Sequence, residues 1–363
     1  MTPEQAYLTM ADTVSAREHG GNVYRASQET GIPVNDIMDF SASINPLGVP
    51  ASVVTAIQEN IRLLPHYPEP QAEQLSERLG RHLQIDGRTI LCGNGSTELI
   101  YLLPRTLRPR RALIPAPTFS EYNRACALAE ACIVEFPLSC ERGFEIDPDR
   151  FIAAMDGCDM AFLCNPNNPT GRLLNRDAVL RIAKAADRLS CWLVVDEAFI
   201  DFIPGHSVAD AVSAHTRLIV LRSLTKFYAL SGLRIGFGVF PQALLHNLRD
   251  RKEPWTVNSL ALCAATAAIQ DERFQEATHV LIAEEKAYLE NALSTAGIAY
   301  FPSAANYYLL QMDRAQEALA SLRAKGILVR DCSNFPGLDS TYLRIAVRRR
   351  TENEALLREL TAS

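Results

Sequence analysis

TILC (89–92), RALIPA (111–116), CIVEFPL (132–138), DMAFLCN (159–165), WLVVDEA (192–198), RLIVLRSL (217–224) and RIGFGVF (234–240) are the runs that decide the fold. They are short and mostly apolar, the pattern of strands covered on both faces. Helical patterns lie between them. In NRDAVLRIAKAADRL (175–189) apolar residues recur at helical spacing behind Asn175, a candidate N-cap. The alternation predicts βαβ units and an α/β fold with a mostly parallel sheet and helices on both faces. Function then gathers at the carboxyl ends of the strands.

After Pro254 the pattern changes. An Ala-rich stretch, VNSLALCAATAAIQ (257–270), leads to EEKAYLENAL (284–293) and then to AANYYLLQ (304–311), GILVRD (326–331) and TYLRIAV (341–347). These predict a smaller α+β domain entered through a long helix. Upstream, one short strand candidate, DIMDFSA (36–42), leaves no room for a separate core. The expected division is an N-terminal arm (1–45) packing with the small domain, a large domain (46–254) and a small C-terminal domain (255–363).

Composition narrows the function. A hydrophobic fraction of 48% with 21% charged residues fits a globular protein, and no apolar run approaches the roughly 20 residues of a membrane span. The opening MTPEQAYLTM lacks the features of a secretory signal, so the expected compartment is the cytoplasm. Nine cysteines without a C-x-x-C pair suggest neither a disulfide framework nor a zinc site; no metal is expected, and the thiols should be buried and reduced. A net charge of −6 argues against nucleic acid, so anionic small molecules must be captured by particular arginines.

Four segments carry chemistry. In SLTKFYALSGLRIG (223–236), Lys226 sits among hydroxyls and apolar residues, where desolvation favours the neutral amine that attacks an aldehyde; Ser223 and Arg234 can hold an anion beside it. DEAFIDF (196–202) ends a strand on Asp196, a carboxylate able to pair with a protonated pyridine nitrogen. LCNPNNPTGRLL (163–174) offers the Asn168 amide to a ring hydroxyl. ILCGNGSTELIYLL (90–103) is strand, glycine turn and helix start, where backbone N–H groups and the hydroxyls of Ser96 and Thr97 can cradle a phosphate.

Together, in this order and spacing, these segments resemble the class I/II aminotransferase superfamily of pyridoxal-5′-phosphate (PLP) enzymes, with the aspartate-aminotransferase fold. The resemblance covers nearly the whole chain. It implies that Lys226 carries PLP as a Schiff base, that Asp196 pairs with the pyridine nitrogen and that Asn168 contacts the ring's 3-oxygen. Ser96, Thr97, Ser223 and Arg234 would bind its phosphate. APTFSEY (116–122) points to Phe119 as the ring stacked on the pyridine, with Tyr122 as the alternative. HYPEP (66–70) resembles the segment whose tyrosine reaches the neighbouring subunit's cofactor phosphate, so Tyr67 implies a homodimer.

Within that superfamily EHGGNVYRAS (18–27) and DFSASINPLGVP (39–50) resemble the L-threonine-O-3-phosphate decarboxylases of the cobalamin pathway, although Ser43 stands where that pattern often has Asn. The resemblance implies decarboxylation to (R)-1-amino-2-propanol O-2-phosphate and CO₂. His19 and Asn22 would lie near a small phosphorylated amino-acid substrate, and Arg330 and Arg344 would grip its two anionic groups. Arg330 has a competing reading as an internal salt bridge to Asp331, Asp339 or a distant carboxylate. Phe199 stands where many aminotransferases have tyrosine. Transamination of the histidinol-phosphate type, and a catalytically retired regulator or scaffold, are the competing functions.

Overall fold

A computed structural model describes residues 19–362, so the MTPEQAYLTM segment and the start of the expected arm lie outside the described residues. All seven runs quoted first are strands of one sheet: β2 (Ile90–Gly93), β3 (Arg111–Ala116), β4 (Cys132–Pro137), β5 (Met160–Cys164), β6 (Trp192–Asp196), β7 (Leu218–Ser223) and β8 (Gly236–Val239). They follow β1 (Met38–Asp39), and their spatial order is β2-β8-β7-β6-β5-β3-β4. β4, β3, β5, β6 and β7 pair in parallel, while β8 runs antiparallel to both neighbours. A sheet buried on both faces explains why its strands read as near-continuous apolar runs.

Strand alternation divides the core. Leu193, Val195, Leu218 and Val220 pack in one apolar cluster, and Val194, Ile219 and Leu221 in the other. The same alternation turns Asp196 and Ser223 to the second face and Arg222 to the first. The helix Arg176–Leu189 covers the sheet, and Asn175 caps it by accepting from Ala178 N at 2.9 Å.

The C-terminal region carries an antiparallel sheet ordered β12-β13-β10-β9. Its strands are β9 (Ala299–Tyr300), β10 (Tyr307–Gln311), β12 (Arg330–Asp331) and β13 (Tyr342–Ala346). GILVRD is divided: β11 (Ile327–Leu328) pairs in parallel with β1, and after Val329 the chain joins the other sheet as β12. β1 is thereby tied to the C-terminal region, and Phe40 O also accepts from Ala346 N at 2.9 Å. The long helix expected after Pro254 is two helices, Ser259–Ile269 and Glu272–Thr295, because Asp271 caps the second by accepting from Phe274 N.

The cysteines are free, as expected, but not uniformly buried. Cys132 is exposed because it opens the edge strand β4, and Cys140 and Cys263 are half-buried. Among the described residues no cluster is arranged to hold a metal ion, and no helix is long and apolar enough to cross a membrane.

Candidate active site

The carboxyl ends of β5, β6 and β7 and the start of the helix Ser96–Leu107 converge on a cavity of about 220 Å³. Eleven residues marked in the sequence line it: His19, Ser96, Thr97, Phe119, Asn168, Asp196, Ser223, Lys226, Arg234, Arg330 and Arg344. They come from both sheets and from the N-terminal segment, so the site exists only when these parts meet.

Lys226 sits in the turn between β7 and β8. That turn is pinned from the N-terminal side: Asn45 N donates to Lys226 O at 3.1 Å, and Asn45 Nδ2 donates to Phe227 O at 2.6 Å and to Thr278 Oγ1 at 2.7 Å. The SINPLG segment thus acts as a clamp on the lysine turn, which its sequence did not reveal. Burial lowers the Lys226 ammonium to about 8, helped by the positive charges of Arg344 and Arg234 and opposed by Asp196 and Asp39. A neutral amine is therefore accessible near neutral pH.

Asp196 ends β6 and is 3% exposed. Its Oδ2 accepts from Tyr122 OH at 2.7 Å and its Oδ1 from Ala198 N at 3.1 Å. Burial pushes the carboxyl up to about 6, against both hydrogen bonds and the Lys226 charge. On the other face of the sheet Arg222, buried, joins Glu197 at 3.5 Å and Asp201, and bonds Ser207 Oγ at 3.1 Å. That network ties the residue after Asp196 to the residue before Ser223, fixing the two strand ends against each other.

The glycine turn opens toward Arg234. Gly95 has φ +74°, and a Cβ there would fall 2.6 Å from Arg234 Nη2. Gly236 lets β8 approach the helix start, since a Cβ would meet Ser96 N at 2.4 Å. The result is a helix N-terminus with two hydroxyls and a guanidinium against it, an anion cradle. Ser223 Oγ and Thr225 Oγ1 lie 2.7 Å apart beside it.

Arg344 leaves β13, with Nη2 donating to Ser41 O at 2.7 Å and Nη1 donating to Asn168 Oδ1. Asn168 keeps its amide N–H group for another acceptor. Arg330 donates to the backbone carbonyl of Asp331 at 2.6 Å and to Asn334 Oδ1 at 2.7 Å. Among the described residues, Arg344 Nε and Ser43 Oγ are buried without a hydrogen-bond partner. His19 pairs with Glu121 at 2.9 Å, and the pairing holds the Glu121 carboxyl below its usual range.

The structure separates the two aromatic candidates. Phe119 is half-buried in the cavity wall, 5.7 Å from the His19 ring. Tyr122 also borders the cavity but is fully buried, stacked on Phe162, its hydroxyl committed to Asp196. Two residues lie elsewhere. Asn22 is a helix cap, its side chain accepting from Arg25 N at 3.1 Å, and it lines an adjoining cavity that shares His19 and Arg330 with the first. A polar residue just before VYRASQET was a legible capping signal. Tyr67 is 83% exposed and lies against Trp255, outside this chain's cavity. Sequence reasoning missed Glu121, Thr225 and the Asn45 clamp.

These residues fit a phosphorylated pyridine aldehyde: an amine of lowered basicity, a buried carboxylate for the ring nitrogen, an amide N–H group for a ring oxygen and an anion cradle. The comparisons agree. The family description "Aminotransferase class I and II" matches residues 35–360. The chain is 41% identical to a threonine-phosphate decarboxylase of Salmonella typhimurium, over 94% of this chain and 95% of the relative. Among solved structures, a histidinol-phosphate aminotransferase from Clostridium acetobutylicum superposes with a TM-score of 0.85 at 29% identity, over 90% of this chain and 98% of that one. An L-threonine-O-3-phosphate decarboxylase from Porphyromonas gingivalis does so with a TM-score of 0.80, also at 29%, over 90% and 99%. With the family match spanning most of the chain and a relative 41% identical over 94% of it, the chain belongs to the class I and II aminotransferase family.

Proposed function

We propose that the protein is a PLP-dependent lyase that converts L-threonine O-3-phosphate to (R)-1-amino-2-propanol O-2-phosphate and CO₂ in cobalamin biosynthesis. The observation that carries this reading is that two buried arginines, Arg344 and Arg330, line the same cavity as Lys226 and Asp196, apart from the phosphate cradle. A substrate with two anionic groups, one carboxylate and one phosphate, matches two such guanidinium groups.

Bound PLP supplies an electron sink for the pair left when a bond to the substrate's Cα breaks. The chain's residues do the rest. Ser96, Thr97, Ser223 and Arg234 would hold the cofactor phosphate, Asp196 would pair with the pyridine nitrogen, Asn168 would bond the 3-oxygen and Phe119 would pack on the ring. Lys226 would hold the cofactor covalently until the substrate amine takes its place, which frees the Lys226 amine to carry a proton. Arg344 would grip the carboxylate and so fix which bond to the substrate's Cα is held for cleavage. Arg330 and His19 hold the substrate phosphate. When CO₂ leaves, the bonding electrons stay with the organic fragment and Lys226 delivers a proton to Cα, so the product retains the phosphate and gains one C–H bond.

The reading extends to organisation. Residues 46–254 form the cofactor-binding domain, 255–363 the small domain and 1–45 an arm packed on it. The enzyme works as a cytoplasmic homodimer, with Tyr67 reaching the partner's cofactor phosphate; its exposure, with Trp255 at its side, supports this. Incubating the purified protein with PLP and L-threonine O-3-phosphate, while following CO₂ and keto-acid formation together, tests the reaction. Release of CO₂ without an amino acceptor is expected; acceptor-dependent amino transfer without CO₂ makes the protein a histidinol-phosphate-type aminotransferase, and inertness makes it a retired member.

A further inference from the structure

Asp196 must be ionised to pair with a protonated pyridine nitrogen, yet it is almost wholly buried. Something in the protein has to offset that burial. Tyr122 is the side chain placed to do so: its hydroxyl is 2.7 Å from Asp196 Oδ2, while the other carboxylate oxygen takes the Ala198 N–H group. The phenol ring cannot swing away, being stacked on Phe162 with centroids 4.8 Å apart and edge-on to Phe119 at 5.6 Å.

The geometry points to Tyr122 as a positioning residue that keeps the Asp196 carboxylate ionised and aimed, and so sets the lower pH limit of PLP binding. The inference rests on the proposal that this cavity takes PLP and adds the residue that controls the carboxylate's charge.

The chemistry is that of a neutral donor facing an anion. Burial raises the Tyr122 hydroxyl well above its usual range, so it stays protonated and donates. The other titratable groups facing Asp196 are Cys164 from β5, Tyr307 from β10 and Lys226 from the turn after β7. Burial pushes the Cys164 thiol up to about 12 and raises the Tyr307 hydroxyl, leaving both neutral; Lys226 contributes positive charge. A hydrogen bond made to the ionised form lowers a carboxyl pKa, and losing it moves the titration upward. Tyr122→Phe keeps the ring and removes only that donor.

The test is PLP affinity of the cofactor-free protein against pH, by equilibrium dialysis between pH 5 and 9. Wild-type affinity should fall gradually below about pH 8 as Lys226 protonates, with a steeper acid limb near pH 6, where Asp196 protonates. For Tyr122→Phe the acid limb should move up by about one unit, giving roughly tenfold weaker binding at pH 6 and near wild-type binding at pH 9. In an Asp196→Asn background the same substitution should leave the profile unchanged. Placing 3-fluorotyrosine at position 122, isosteric and a stronger donor, should move the limb to lower pH and keeps the idea testable if the Phe variant does not fold. Coincident limbs, or a uniform loss of affinity at all pH values, overturn the inference and leave Tyr122 a packing residue. Wild-type protein that takes up no PLP at any pH overturns the PLP proposal itself.

Discussion

Lys226 and Asp196 are each held in the charge state that burial disfavours, so the machinery carries a stability cost. For Lys226 the folded-state value, about 8, lies below the ordinary 10.5. Between those values the unfolded chain binds more protons, so the stability of the cofactor-free protein rises with pH across that window, and below pH 8 the full cost is present. Lys226→Met should therefore raise the melting temperature of the cofactor-free protein at pH 7, by the equivalent of about 3 kcal/mol, with the gain fading toward pH 10.5. A pH-independent gain refutes the charge explanation. Arg344 is argued at the same scale: Arg344→Lys keeps the charge and loses the two-pronged grip. We expect PLP binding and the fold to survive while kcat/KM with threonine phosphate drops at least about tenfold, roughly 1.4 kcal/mol. Unchanged kinetics reject the clamp.

Among the elements, the N-terminal segment does more than decorate. β1 adds to β11, Phe40 meets β13, and Asn45 reaches the lysine turn and the helix Glu272–Thr295. Asn45 also accepts from Leu47 N at 2.9 Å. Replacing it by Ala strands the buried Phe227 carbonyl and leaves the turn unclamped, at a cost of about 1–3 kcal/mol. Urea denaturation of Asn45→Ala should show that loss, accompanied by weakened PLP binding; a loss below about 1 kcal/mol means the clamp is redundant. The strands of the large sheet were legible because each is locally apolar, and so was the Asn175 cap. The break between Ser259–Ile269 and Glu272–Thr295 carried its own signal in Asp271, an N-cap residue obscured by the Ala-rich text around it. The switch of GILVRD from one sheet to another at Val329 had no local signal, because either partner satisfies the same apolar residues.

For the whole molecule the open surface around Tyr67 matters most. Tyr67, Leu64, Ile61 and Trp255 are all exposed large apolar side chains. If Tyr67 serves the partner's site, Tyr67→Phe subunits mixed with Lys226→Ala subunits form hybrids in which one site has both its own lysine and the partner's tyrosine. Activity of the mixture should exceed that of either variant alone. Activity no greater than the two added in proportion shows that each chain works with its own residues.

The sequence by itself determined the strand runs, the helical cover and the positions of Lys226, Asp196, Asn168 and the glycine turn, because each depends on residues within one short segment. It also carried the charge types needed for anionic ligands. Only the tertiary structure decided what those groups are bonded to. The Tyr122–Asp196 hydrogen bond spans 74 positions and the Arg344–Asn168 contact 176. Tyr122 reads locally as one more aromatic beside a site. Hydrogen bonds are satisfied by whichever partner folding brings within about 3 Å, and that choice depends on sheet order and strand register, which no single segment encodes.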